Sequence, residues 1–319
     1  LSAASNTAHR SLVSRLLEPY CEKHGLTLTL LDEHGHGGHV ETTSGRRWFF
    51  RGTHFDLNPL GASEIADDKA ASLAALNKCG LLTPESLCLS GPVARAKETA
   101  LTFADEHGYP LFLKPNEGQE GLDVERLETR DDLTDSIDQL LARHRLLLLQ
   151  KAVEGDDLRL LVLDGVVLCA VQRTPPGLCG NGRTAIRDLM GEKLKKLLSD
   201  PRCQRELVRQ GLTFDTVLEE GQKVRLLPNA NLSAGGIGAL ITDVLSSTLA
   251  DAAIKAAACL NLRYAGIDLI AAPDGTYRIL EVNAAPGLAR LAAQGDMEKA
   301  VVAEVYERVF DALTFGPDQ

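Results

Sequence analysis

The segment Gly266-Ile-Asp-Leu-Ile-Ala271, a turn at Asp274-Gly275, and Tyr277-Arg-Ile-Leu-Glu-Val282 running into Asn283 decides the fold. An Asp-Gly pair between two apolar runs predicts a β-hairpin. Side chains alternate along a strand, so Glu281 and Asn283 face the same way, and Asp268 stands on the neighbouring strand. Hard oxygen ligands of this kind suit magnesium, which keeps several waters and takes phosphate oxygens for the rest. The plain alternative is a solvated edge hairpin. Against it, Asp268 lies between Ile267 and Leu269, and Glu281 between Leu280 and Val282.

Upstream of this hairpin the chain reads as mixed strands and helices. Residues 11–24 predict a helix with Leu12, Leu16 and Leu17 on one face. Short strands are expected at 26–31, 40–43 and 48–51, a loop at 56–60, and a helix from Asp67 that stops at Gly80. Strands follow at 111–115 and 146–150, then a hairpin of 159–163 and 166–173 about Asp164-Gly165. The charged stretch 193–212 and the Ala-rich stretch 250–260 read as helices. The class is α+β or mixed α/β, not a pure Rossmann sheet.

Three further groups carry chemistry. Lys114 ends a strand and is followed by Pro-Asn-Glu-Gly118-Gln-Glu-Gly121: a point charge for phosphate with a glycine-containing loop that can bring amides over it. There is no GxxxxGK[ST], so this is not a Walker loop, and alone it could be a surface turn. Arg159 and Arg173 offer guanidinium forks for phosphate or carboxylate oxygens, or ordinary surface ion pairs. In Asn231-Leu-Ser-Ala-Gly235-Gly236, small residues allow backbone amides to approach an anion, or make a plain flexible loop. His34, His36 and His39 sit in a glycine-rich turn and are read as a turn, not a metal site.

The 319 residues are 44% hydrophobic and 24% charged with a net charge of −10, an ordinary globular balance. The acidic surplus speaks against a nucleic-acid partner. No apolar run approaches a membrane span and no signal peptide is visible. The seven cysteines lack CxxC spacing and are expected as free thiols in a reducing cytoplasm. The chain starts at Leu1 without methionine, so residues are expected upstream.

In this order and spacing, the groups resemble an ATP-grasp ligase over roughly residues 67–291. Asp67-Asp-Lys69 is similar to the helix entry that carries the family's first phosphate lysine, Lys114 to the second, and 116–121 to the mobile loop over the phosphates. Leu149-Gln150-Lys151-Ala-Val153 resembles the hinge that reads adenine, Asp157 falls where an acid holds ribose, and Asp268, Glu281 and Asn283 match magnesium ligands. Within the superfamily, Arg173-Thr-Pro-Pro-Gly-Leu-Cys-Gly-Asn-Gly-Arg-Thr-Ala-Ile186, Asn231 to Gly236, Ala265 to Asp268 and Glu281 to Gly287 resemble the ATP-grasp part of cyanophycin synthetase and bifunctional glutathione synthetase. Two departures stand out. Gly180-Asn-Gly182 replaces the usual Gly-Asp-Gly. Gly266 occupies the position of an arginine in D-alanine ligases, which disfavours that activity.

The resemblance implies an ATP-grasp fold: a short leading domain at 1–66, a small lobe at 67–150 and a large lobe with the metal site at 151–319, the two lobes clasping ATP. It implies a cytoplasmic ligase using ATP and two magnesium ions, or manganese, to join a small-molecule carboxylate to an amine through an acyl phosphate, releasing ADP and phosphate. Arg159, Arg173, Asn231, Gly235 and Gly236 would steady that intermediate. The expected substrates are amino acids or short peptides; a homodimer is compatible. The Mur-ligase-like and cysteine-ligase domains of those relatives are not within these residues, which leaves the substrate pair open. The alternatives are a ligase that extends a protein or peptide tail, and an ATP-binding module without catalysis.

Overall fold

The computed structural model describes residues 10–118, 121–192 and 194–316. Helix α1 (Leu12–His24) begins where the Ser11 side chain accepts the Ser14 amide and ends at Gly25 in the left-handed region. Strands β1 (Thr27–Leu30), β2 (Gly37–Glu41), β3 (Arg47–Arg51) and β4 (His54–Phe55) form an antiparallel four-stranded sheet in chain order. Helix α2 (Leu60–Asp67) and helix α3 (Lys69–Lys78) follow, the second capped by the Asp68 side chain on the Ala71 amide.

The next unit comprises β5 (Ser86–Ser90), α4 (Val93–His107), β6 (Leu111–Pro115), β7 (Glu125–Leu127), α5 (Arg130–Leu141) and β8 (Leu146–Lys151), with sheet order β5-β8-β6-β7. Its core is Leu111, Leu113, Leu147 and Leu149 against Ala100, Phe103, Leu133 and Ile137. Alternation sends Leu148 out of the other face, into the core of the larger sheet.

The chain then builds β9 (Asp156–Leu163), β10 (Val166–Thr174), β11 (Gly177–Cys179), α6 (Ile186–Leu189), α7 (Pro201–Arg209), β12 (Lys223–Arg225), β13 (Ile237–Leu240), α8 (Ser247–Cys259), β14 (Tyr264–Ala271), β15 (Tyr277–Asn283), α9 (Ala289–Ala292) and α10 (Asp296–Thr314). The central sheet has the order β13-β10-β9-β14-β15 and is antiparallel throughout. The β9–β10 turn puts Asp164 and Gly165 both at positive φ, 47° and 78°. That is the geometry an Asp-Gly hairpin turn requires.

One face of the central sheet presents Leu161, Leu163, Val171 and Tyr264 to a core shared with α1, α10 and the first sheet. Tyr306 and Phe310 of α10 are fully buried there, and each such side chain contributes about 1.5–3 kcal/mol. The other face presents Leu158, Leu160, Ile267 and Leu269 to α8 and α3. Helix α3 therefore packs on the central sheet, although it precedes the smaller sheet in sequence.

Two expectations are corrected. The stretch 193–212 is not one helix: a short 3-10 turn at Lys195–Ser199 stops at Asp200, and Pro201 opens α7. Proline lacks the amide and is tolerated only in the first turn, so it starts a new helix; Lys193 lies outside the described residues. Nor are all cysteines free. Cys79 and Cys259 are disulfide-bonded with Cα atoms 6.4 Å apart, linking the ends of α3 and α8, while Cys21, Cys88, Cys169, Cys179 and Cys203 are free. The bond joins residues 180 apart in sequence, which spacing patterns do not reveal. Among the described residues no helix is long and apolar enough to cross a membrane.

Candidate active site

Along the β14–β15 hairpin Gly266 pairs with Asn283 and Asp268 with Glu281, but Leu269 pairs with Ile279. Leu280 is thus an extra residue, a β-bulge. It lets Ile279 and Val282 both enter the apolar core while Glu281 and Asn283 keep the side of Asp268. A Cβ at Gly266 would fall 2.8 Å from Pro286 Cβ. An arginine there would have to displace Pro286, a physical reason for the departure from D-alanine ligases.

Strand order places β9 beside β14, with Arg159 opposite Asp268. Arg159 Nε and Nη2 donate to the two Asp268 carboxylate oxygens, both at 2.6 Å, and Arg173 Nη1 donates to Oδ2 at 3.1 Å. Arg173 Nε also donates to Asp157 Oδ1 at 2.7 Å. Asp268 is only 3% exposed. Burial pushes its carboxyl up, but Arg159 and Arg173 overcome that and hold it down at about 2. Burial raises the Asp157 carboxyl above its ordinary value, with Arg173 opposing.

On the other side of Glu281 stand the two lysines. Lys69 Nζ donates to the Gly118 carbonyl at 2.9 Å and lies 3.7 Å from Glu281 Oε2. Lys114 is buried at the end of β6 and has no hydrogen-bond partner among the described residues. Burial pushes its ammonium down to about 8; Lys69 adds to this, and Glu281 and Asp268 oppose it. Asn116, which the sequence reading did not single out, ties the segment after Lys114 to the start of α3. Its Oδ1 accepts the Ala70 amide, its Nδ2 donates to Asp68 Oδ1, each at 2.9 Å, and it is 1% exposed. The only sequence signal for this role is an asparagine two residues past Lys114.

Asp67, Asp68, Lys69, Gly118, Glu281 and Asn283 line a cleft of about 430 Å³. Among the described residues no group of three or more His, Cys, Asp or Glu is arranged to hold a metal. The donors are instead two carboxylates and an amide. Asn283 Nδ2 donates to Glu281 Oε1 at 3.2 Å, which aims the two side chains at one point. This hard-oxygen set, short of a full shell, fits an ion that fills its remaining positions with phosphate and water. Asp268 would share its oxygens with Arg159 and Arg173.

Other expected residues lie farther off. Gln150 Nε2 donates to Ser86 Oγ at 3.0 Å, and Lys151 Nζ to the carbonyls of Gly108 and Tyr109, both at 3.1 Å. Half-buried Val153 lies in the connection from β8 to β9, between the two sheets. Gln119 and Glu120 of the glycine-containing loop lie outside the described residues. Gly121 abuts the Asn231 side chain: a Cβ there would fall 1.9 Å from Asn231 Nδ2.

The amides of Gly235 and Gly236 differ from expectation. They donate within their own turn, to Leu232 O at 3.2 Å and Asn231 O at 3.1 Å, and are not free for an anion. Gly236 is needed for space, since a Cβ would meet the Ala230, Asn231 and Thr174 carbonyl oxygens, each at 2.9 Å. Also unforeseen, three arginines of α7 grip β7 of the small sheet and the loop before it. Arg202 Nη1 donates to Gly121 O at 2.6 Å, Arg205 Nη2 to the Glu125 carboxylate at 2.5 and 2.6 Å, and Arg209 to Arg126 O.

Comparison with known proteins agrees with this geometry. The model of the RimK-like ATP-grasp domain matches residues 66–188 and 224–305. Cyanophycin synthetase of Geminocystis herdmanii is 30% identical over 272 residues, covering 77% of this chain and 30% of that one. The glutathione biosynthesis bifunctional protein GshAB of Enterococcus faecalis is 27% identical over 295 residues, covering 83% and 38%. The chain thus spans about a third of the length of the curated relatives it matches. A bifunctional glutathione synthetase from Pasteurella multocida shares the fold, with a TM-score of 0.58, 19% identity, and coverage of 94% and 44%.

Proposed function

Because the chain belongs to the RimK-like ATP-grasp family, we propose that it is an ATP-dependent ligase that joins a carboxylate to an amine through an acyl phosphate, releasing ADP and phosphate. One observation carries this reading: the Lys114 ammonium, buried and without a hydrogen-bond partner among the described residues, lies within electrostatic reach of Glu281, Lys69 and Asp268, and Lys69 Nζ itself stands 3.7 Å from Glu281 Oε2. Two lysines held this way have a purpose if phosphate completes the site. The substrates proposed are amino acids or short peptides.

Adenine would lie by Gln150, Lys151 and Val153, with the ribose toward Asp157 and the phosphates toward Lys69, Lys114, Gly118 and Gly121. Asp268, Glu281 and Asn283 would hold magnesium, or manganese, which neutralises phosphate charge and orients the γ-phosphoryl group. Lys69 and Lys114 add fixed positive charge where the transferring group passes; phosphoryl transfer asks mainly for alignment and neutralisation. A substrate carboxylate oxygen bonds to the γ-phosphorus, the bond to the ADP oxygen breaks, and the amine then displaces phosphate from the acyl carbon. Arg159 and Arg173 would steady the acyl phosphate, with Asn231, Gly235 and Gly236 shaping the wall beside it. The loop at 116–121 would keep water from it. The need for ATP supports a cytoplasmic setting.

The test is a matrix of acids and amines with ATP and magnesium, read by ADP release and product mass. An amide formed with one ADP per bond is expected, lost in Lys114→Ala. Amide formation with AMP as the nucleotide product would overturn the reading.

A further inference from the structure

Helix α3 carries Lys69 in its first turn and ends at Lys78, immediately before Cys79. Its ten residues make a rod about 15 Å long. The two ends of the rod are tied to different parts of the molecule. At the first, Asn116, just past β6 of the small sheet, accepts the Ala70 amide and donates to Asp68 Oδ1, each at 2.9 Å. At the other, the disulfide joins Cys79 to Cys259, the last residue of α8. From α8 the chain runs directly into β14 and Asp268. Leu82, three residues past Cys79, accepts the Ile279 amide of β15 at 2.9 Å, two residues from Glu281. One covalent bond thus fixes the helix that carries Lys69 against the two strands that carry Asp268 and Glu281.

Little else holds that end. Leu73 and Leu76 enter the core, but Asn77, Lys78, Cys79 and Gly80 are all exposed. The buried residues of α8 are alanines, whose methyl groups offer little apolar surface to a neighbouring helix. The bond is also within reach of solutes, since Cys79 is exposed and Cys259 half-buried. In the cytoplasmic setting proposed above, disulfides are rare, and those that form mostly serve redox sensing or catalysis. The other five cysteines are not cross-linked. Burial pushes the thiols of Cys21, Cys169 and Cys203 up to about 11, 11 and 12. A dithiol therefore acts on one bond in this protein.

We propose that Cys79–Cys259 is a redox-operated clamp on α3: closed, it holds Lys69 in place for nucleotide; opened by a dithiol reductant, it frees the C-terminal end of α3 and weakens ATP binding. A thiolate of the dithiol bonds to the sulfur of exposed Cys79, the Cys79–Cys259 bond breaks, and Cys259 leaves as a thiolate that takes a proton. The second thiol of the reductant then displaces Cys79 and closes a cyclic disulfide, so two electrons and two protons pass to the protein. The effect on ATP rests on the reading of Lys69 as a phosphate group; the clamp on α3 does not.

The test compares the full chain prepared without reductant with the same protein reduced by dithiothreitol. Affinity for ATP at millimolar magnesium, measured without acid or amine, falls five-fold or more on reduction. Cys79→Ser, at an exposed position, binds ATP at the reduced value and does not respond to dithiothreitol. Because coupling is reciprocal, saturating ATP and magnesium raise by the same factor the ratio of reduced to oxidised dithiothreitol needed for half-reduction. Equal affinity in the two forms, or a response to dithiothreitol that survives in Cys79→Ser, overturns the proposal. Failure of both forms to bind ATP would strike the nucleotide reading instead. Hydrogen–deuterium exchange then decides the clamp by itself: reduction speeds amide exchange at 77–81 ten-fold or more, and unchanged exchange overturns it.

Discussion

Lys114 concentrates the physics of this site in one side chain. Its ammonium is held at about 8, down from an ordinary 10.5, chiefly by burial. Below pH 8 it is charged in both the folded and unfolded states, and folding bears the cost of burying the charge. Between pH 8 and 10.5 the folded state loses the proton first, so stability gains, and above 10.5 the gain is complete. Lys114→Met lacks this gain. Its stability advantage over the wild type at pH 7 should shrink by about 3 kcal/mol by pH 10.5, measured by urea unfolding at both pH values. A constant difference would mean the ammonium is solvated. ATP turnover at pH 7 should fall about 100-fold or more in the same variant. Asp268 and Glu281, read together from the sequence as metal ligands, call for separate tests. Asp268→Asn would leave Arg159 without its carboxylate and Arg173 with Asp157 alone in a buried cluster, and cost about 3–5 kcal/mol of stability, confusing any binding result. Glu281 is partly exposed, its side chain at 25%. Glu281→Gln should fold with near wild-type stability yet bind ATP at millimolar magnesium at least ten-fold more weakly. Wild-type affinity would remove Glu281 from the metal set.

At the scale of elements, the β14–β15 hairpin was legible because Asp274-Gly275 marks the turn and period-two alternation pairs Glu281 with Asn283. The bulge at Leu280 was not: a strict period-two reading puts Ile279 on the side of Glu281, and no glycine or turn residue marks the insertion that sends Ile279 into the core with Val282. The Arg159–Asp268 and Arg173–Asp157 pairs were also hidden. They depend on β9 lying between β10 and β14, and lateral order is not written along the chain. Helix α4 had a readable stripe in Ala96, Ala100, Phe103 and Ala104, but alanines give it little contrast. The α7 arginines read only as part of a charged helix. Residues 202, 205 and 209 follow helical spacing and so share one side, and the structure turns that side to the small sheet. Replacing all three by alanine should speed amide exchange in β7, at 125–127, by ten-fold or more, measured by hydrogen–deuterium exchange. Unchanged protection would show that β7 is held by its own sheet alone.

For the whole molecule, the ATP-grasp fold was legible because each hairpin and helix entry carried local chemistry that survived without knowledge of packing. What escaped was long-range: the first sheet and α10, from opposite ends of the chain, share one core, and Cys79 meets Cys259. Protein prepared without reductant should show the 79–259 cross-link by non-reducing peptide mapping, with exposed Cys88 and Cys179 alkylated first. Alkylation of all seven cysteines would contradict the pairing. Lys69 and Glu281 line one cleft, Asp268 is paired with Glu281 across the hairpin, and buried Lys114 feels the charge of all three; in the proposed function this charge serves the β- and γ-phosphates. The most direct measurement uses an acid labelled with ¹⁸O in its carboxylate, ATP, magnesium, and hydroxylamine as the amine. The predicted products are ADP, a hydroxamate, and inorganic phosphate carrying one ¹⁸O from the acid. Label found in AMP, with pyrophosphate released, would contradict γ-phosphoryl transfer at this site.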